Sequence, residues 1–190
     1  MKIKLQSVVL FVVVILALVI KLGILVNAEE EKINAEEPKL LSATATIYST
    51  ADKTKQLGSV VFVQRDGKLN ILAEVKGITP GKHGVHIHEK GSCEETGNAA
   101  GSHFNPHHTP HGFLPKDGEQ AAHVGDMGNI EAGADGSGTL QIDLPEVYLE
   151  GEKNNVLGLT VILHEKEDDF GQPTGNAGGR IGCGIIEIQP

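Results

Sequence analysis

Tryptophan is absent from this chain of 190 residues, and tyrosine (two) and phenylalanine (five) are scarce. Without large aromatics, a core has to come from short aliphatic runs. With 24 glycines spread between those runs, the pattern suits a loop-rich all-β domain. Basic residues are also in short supply, 16 Lys and Arg against 25 Asp and Glu, for a net charge of −9. Phosphate backbones attract positive surfaces, so nucleic acid is excluded as a partner. No apolar run after the N-terminal segment is long enough to span a bilayer, which confines any membrane contact to that segment. No cysteine lies near it, so a lipoprotein anchor is excluded too.

The N-terminal segment reads as a targeting signal. Lys2 and Lys4 precede the apolar run Val8 to Ile20, and Val26 and Ala28 stand where a small-residue cleavage site is needed. The run from Leu5 to Val26 can also serve as an uncleaved anchor, with Lys21 reaching out to the membrane surface. Residues 1–28 are therefore a signal peptide or a membrane anchor, and either way the domain is exported, secreted or held on the outer face of the cytoplasmic membrane. Residues 29–40 are acidic and poor in bulky side chains, a solvated linker. An exported chain with two cysteines, Cys93 and Cys183, is expected to pair them. Closing a loop of about ninety residues stabilises by about 4–5 kcal/mol in the chain-entropy model.

From Leu41 onward the chain predicts eight short strands. They fall at Ser42–Ser49, Ser59–Gln64, Leu69–Val75, Gly84–Glu89, Gly128–Glu131, Thr139–Leu144, Gly158–His164 and Ile185–Ile188. Arg65-Asp66-Gly67-Lys68 and Asp135-Gly136 mark hairpin turns. The segment from Glu89 to His123 has almost no periodicity, and loops of that length are functional or disordered.

That loop and the strand before it hold eight of the nine histidines, from His83 to His123; His164 is the ninth. Imidazole is the commonest protein metal ligand, and several histidines with one carboxylate suit copper or zinc. His86 and His88 are two apart on a strand and so project from one face, able to share an ion. His103, His111, His123 and Asp126 make a complete four-coordinate zinc set. His164 ends an apolar strand and can approach the first pair. Seven candidate ligands exceed one closed site, which points to two metals. A cupin-type site built on His86, His88 and Glu94 is the weaker reading, because the downstream histidine motif it needs is missing.

Five segments, in this order, resemble the copper/zinc superoxide dismutases: Gly84-Val85-His86-Ile87-His88-Glu89-Lys90-Gly91, His103-Phe104-Asn105-Pro106, His123-Val124-Gly125-Asp126, His164-Glu165-Lys166-Glu167-Asp168-Asp169, and Gly175 through Gly184 with Arg180 and Cys183. The likeness runs from Leu41 to Gln189. It implies an eight-stranded Greek-key β-sandwich, or flattened barrel, with a long metal-binding loop. It also implies an oxidoreductase that converts superoxide to oxygen and hydrogen peroxide by copper redox cycling. Copper would be held by His86, His88, His103 and His164, and zinc by His103, His111, His123 and Asp126. His103 would bridge the metals and carry a proton, while Arg180 would guide the anion. Asp168 would link a copper histidine to a zinc histidine, and Cys93 and Cys183 would form the family's internal disulfide.

The spacing from His111 to His123 is three residues longer than in eukaryotic members, which leaves His107 and His108 as competitors for the zinc position. Otherwise those two read as exposed loop residues, and His83 as an exposed turn residue. The family's anion-steering loop is shortened here to Phe170-Gly171-Gln172-Pro173-Thr174 and has no lysine, so Lys90, Lys116 and Lys166 are the substitute guides. His88 to Cys93 has a bacterial look. The C-terminal run from Gly184 to Pro190 is like the strand by which eukaryotic members dimerise, and the expected state is a monomer or homodimer.

Overall fold

Alternation decides the architecture of the domain. In the computed structural model, which describes residues 40–65 and 67–189, β1 (Leu41–Ser49) buries Ala43, Ala45 and Ile47 and leaves their neighbours partly exposed. β2 (Gln56–Arg65) and β3 (Lys68–Val75) repeat the pattern with Val60 and Phe62, then Leu69, Ile71 and Ala73. A period of two places these residues on one face. Phe62 and Leu69 are fully buried, each contributing about 1.5–3 kcal/mol of transfer free energy. The remaining strands are β4 (Gly81–His88), β5 (Asp126–Ala132), β6 (Gly138–Pro145), β7 (Thr160–His164), β8 (Arg180–Ile185) and β9 (Glu187–Ile188).

The strands hydrogen-bond in the order β2-β3-β6-β5-β4-β7-β8-β1, and β1 returns to β2, so eight antiparallel strands close a barrel. β9 continues β8 along the same edge of β1. The connections β3–β4 and β6–β7 each pass over two strands, which is the Greek-key element. The expected all-β, eight-stranded architecture is therefore present. Leu40–Pro190 forms one compact unit, while the expected targeting segment and nearly all of the linker lie outside the described residues. Among the described residues no helix is long and apolar enough to cross a membrane.

Two hairpin expectations hold at the turns that are described. Arg65 pairs with Lys68 around Gly67, whose φ is +75°. At the β5–β6 tip, Gly133 N–H donates to Ser137 O and Gly136 has φ +75°. β8 departs from expectation by starting at Arg180 rather than Ile185. Gly182 and Gly184 masked it as a loop, yet a Cβ at Gly182 would lie 2.7 Å from Ile47 Cγ2 and one at Gly184 2.4 Å from Thr46 O. Glycine is there because β8 packs directly on β1.

β4 and β7 differ from the other strands in being buried on both faces. Val85, Ile87, Val161 and Leu163 turn into the barrel core. The alternate residues His86, His88, Ile162 and His164 turn outward, and are buried all the same. The loop from Glu89 to His123 covers them, held by the Cys93–Cys183 disulfide and by a short 3₁₀ turn at Glu95–Ala100.

Candidate metal centre

The long loop returns to β4 as an extra strand-like segment. Phe104 N–H donates to Ile87 O at 2.8 Å, and Glu89 N–H to Ser102 O at 2.9 Å, which sets His103 in a bridge opposite His88. The Glu89 carboxylate accepts from Ser102 N–H. Gly125 closes the same layer, and its N–H donates to Phe104 O. A Cβ there would sit 2.2 Å from Ile87 O, so no other residue allows this approach.

Two sets of buried donors result. His86, His88, His103 and His164 offer one ring nitrogen each, all within 4.8 Å of one another, and so do His103, His111 and His123 with an Asp126 oxygen. His103 belongs to both. In the second set three Nδ1 atoms gather on one carboxylate: His103 at 2.9 Å and His123 at 3.2 Å from Asp126 Oδ1, and His111 at 2.8 Å from Oδ2. Asp126 is also held from behind by Gly112 N–H and His123 N–H. Burial alone would favour the protonated acid, but the rings of His103, His111 and His123 and the Gly112 N–H hold its carboxyl well below the usual range.

Three rings of the first set are held neutral. Burial pushes His88 down to about 2, His103 to about 4 and His164 to about 3. Burial also opposes charge on His111, but the carboxylates of Asp126 and Asp168 outweigh it and raise the ring to about 9. Neutral, lone-pair-bearing imidazoles are what a metal needs.

The decisive test of fit is the hydrogen-bond account. His86 Nδ1, His88 Nε2 and His164 Nε2 are buried without any partner, and His111 Nδ1 is misaligned for a bond to the nearby carboxylate. Leaving such groups unpaired in a protein interior is costly. Their opposite nitrogens are satisfied: His86 Nε2 meets Asp168 Oδ2 at 2.8 Å, and His88 Nδ1 meets Gly101 O at 2.9 Å. The rings of His86 and His88 are thus fixed at one nitrogen, with the other aimed, beside His164 Nε2, at a common point. These residues fit copper in the first set and zinc in the second.

Asp168 joins the two sets, with His111 Nε2 2.9 Å from its Oδ1 while His86 takes Oδ2. Burial would raise its carboxyl, yet the rings of His111 and His86 hold it below the ordinary range. Gly175, at φ +78°, is required beside it, because a Cβ would fall 1.9 Å from Asp168 Oδ1. Arg180 donates to Gly97 O and Gly101 O, both at 2.6 Å. It lines a cleft of about 230 Å³ with His88, His103, His164, Ser102, Thr174 and Asn176. Of the substitute lysines, Lys166 runs its stem beside Gly178, which lines the cleft.

Every residue expected in the two ligand sets is brought into them. His107 and His108 stand outside, exposed, and His107 Nε2 bonds Asn154 Oδ1 at 2.9 Å. His83 corrects its expectation. It is only 1% exposed, shares the inward face of β4 with Val85 and Ile87, and bonds His164 O at 2.8 Å through Nδ1. A polar ring at that position finds backbone carbonyls, His164 O and Thr79 O. Gln172 and Asn129, which hold His111 and Asp168, carried no local signal, since both act across long sequence separations.

A family model described as copper/zinc superoxide dismutase (SODC) matches residues 56–186. An extracellular superoxide dismutase [Cu-Zn] of Brugia pahangi is 40% identical over 157 residues, covering 77% of each chain. A superoxide dismutase [Cu-Zn] A of Xenopus laevis is 40% identical over 141 residues, covering 70% of this chain and 90% of its own. Among solved structures, the crystal structure of the clock protein EA4 superposes with a TM-score of 0.70 at 35% identity, covering 82% of this chain and 99% of that one.

Proposed function

The chain belongs to the copper/zinc superoxide dismutase family, and on that premise we propose that His86, His88, His103 and His164 hold its copper and that His103, His111, His123 and Asp126 hold its zinc. It is an oxidoreductase whose cofactors are copper and zinc and whose substrate is superoxide. Two superoxide anions and two protons become one molecule of oxygen and one of hydrogen peroxide. The bound metals supply a one-electron redox couple, from copper, and a redox-silent positive charge, from zinc.

The protein residues do the rest. His103 turns Nδ1 to Asp126 and so leaves Nε2 for the other set and the cleft. As the one ring common to both sets, it is placed to hold a proton at Nε2 and release it toward the peroxide product. Asp168 keeps the rings of His86 and His111 in one tautomer and one orientation. Arg180 is pinned by two carbonyls and remains cationic, since burial lowers its pKa only from a very high starting point. Its guanidinium draws the anion into a cleft otherwise rimmed by the uncharged Ser102, Thr174 and Asn176. Local attraction matters because the chain carries −9 overall, and a net negative field repels the substrate at range.

The observation that carries this reading is the convergence of three unpartnered buried ring nitrogens on one point, beside a second point where three imidazoles gather on Asp126. The test is superoxide dismutation by the purified protein loaded with copper and zinc, beside its metal content. Fast turnover with one copper and one zinc per chain, lost in His86→Ala, supports the assignment. Zinc uptake without copper uptake would mean that His86, His88 and His164 do not act together. The extracellular relatives also support export of the domain, with residues 1–28 as the leader. Recovery of the protein on the inner side only would refute that part.

A further inference from the structure

The segment after Asp168 meets His111 from three sides. Asp168 takes its Nε2. The Phe170 ring stacks on it, with centroids 6.4 Å apart and planes 20° from parallel, from a backbone φ of +58°. Gln172 takes its main chain: Oε1 accepts from His111 N–H at 3.0 Å, and Nε2 donates to His111 O at 2.8 Å. Both bonds fall on one residue, so a single carboxamide ties down the two peptide units that flank the His111 Cα. The orientation of the amide is not interchangeable, because only its oxygen can accept from N–H and only its nitrogen can donate to the carbonyl.

The same device recurs in this site. Asn129 accepts from Asp168 N–H at 2.8 Å and donates to Asp168 O at 2.9 Å. Asn105 accepts from Thr109 N–H at 3.1 Å and donates to Thr109 O at 2.9 Å. Three carboxamides thus fasten the irregular chain around the second donor set. Of the three, Gln172 is the one that fastens a member of the second donor set.

We propose that Gln172 is a positioning residue that sets the ring of His111 before zinc arrives, so that the shortened segment 169–175 works as a clamp on the zinc half of the site. The inference rests on the reading of His111 as a zinc ligand. A side chain on an irregular loop must be ordered to bind an ion, and ordering it in the fold removes that penalty from binding. Partners behind a ligand typically change metal affinity by about 10–100-fold. Gln172 is itself exposed to water, so the lower end of that range is expected.

The experiment uses the full chain, stripped of metal, as wild type, Gln172→Ala, Gln172→Glu and His111→Ala. Zinc affinity is read by competition with a chromophoric chelator, and cobalt(II) alone serves as an absorbing probe of the zinc position. Gln172→Ala should weaken zinc by about tenfold and alter the cobalt ligand-field spectrum. Gln172→Glu keeps the acceptor for His111 N–H and loses the donor to His111 O, so it should fall between. His111→Ala should lose zinc by about a hundredfold or more. Wild-type zinc affinity in Gln172→Ala, beside a loss in His111→Ala, overturns the clamp and leaves the ligand reading standing. A weakened Gln172→Ala protein with the wild-type cobalt spectrum also overturns it, because the role is then general stability. Wild-type zinc affinity in His111→Ala overturns the ligand reading and the clamp with it.

Discussion

His86 and Asp126 stand directly opposite each other in the β4–β5 ladder, next to a register shift between Gly84 and His86. One pair of neighbouring strands therefore presents a donor of each set, and His103 reaches between them from the loop. A bulge at that point turns the strand locally and re-aims its side chains. The two sets are consequently parts of one rigid layer, joined again underneath by Asp168, and a change in one should register in the other.

Asp168→Asn tests that joint. The amide keeps one acceptor and places a donor group against a ring nitrogen, so one of the two rings loses its orientation. Zinc and copper affinities should both fall, by about tenfold or more, in chelator competition, with the fold retained by circular dichroism. Unchanged affinity for both metals would show that the 2.8 Å and 2.9 Å contacts to His86 and His111 do not orient the rings.

His103→Ala removes the residue common to both sets. Dismutation should be abolished, and zinc content after dialysis should drop as well. If zinc were retained at the wild-type level, His103 would not be a donor on that side.

Arg180→Ala should slow turnover by about tenfold or more, the usual scale of steering effects, and should flatten its dependence on ionic strength. Lys166→Gln should produce a smaller loss in the same direction, since its stem runs beside Gly178, which lines the cleft. Equal rates for wild type and Arg180→Ala, measured at low salt, would remove the guiding role.

Reducing the Cys93–Cys183 bridge, or replacing both cysteines by serine, should lower stability by about 2–5 kcal/mol. For a domain of this size that is about 5–15 °C in Tm. Activity should fall too, because the bridge anchors the loop whose Gly97 and Gly101 carbonyls hold Arg180. An unmoved Tm under reducing conditions would mean that the loop is held by its backbone bonds alone.

Stripping both metals should lower Tm by about 20 °C, since each metal at a thousand times its Kd stabilises by about 4 kcal/mol and each kcal/mol moves a domain of this size by about 2–4 °C. The His86→Ala protein should show a smaller difference between its loaded and stripped forms. Equal Tm values for loaded and stripped wild type would contradict a site left with unpartnered nitrogens in the interior.

Much of this was legible in the chain because it is local. Two-residue alternation shows which side of a strand a residue occupies, so His86 and His88 could be placed on one face before any fold was known. Turn chemistry located the hairpins at Gly67 and Asp135-Gly136, and the motif order carried the family likeness. What tertiary structure alone decided is what depends on distant partners. It set the His111 ring, and not those of His107 and His108, against Asp126 and Asp168, with Gln172 on the His111 main chain. It buried His83 against the His164 carbonyl, and it made a strand of a glycine-rich run because β1 leaves no room for side chains there. The physical reason is the same in each case. Periodicity and turn preferences act within a few residues, whereas burial and hydrogen-bond pairing are settled between segments that only folding brings together.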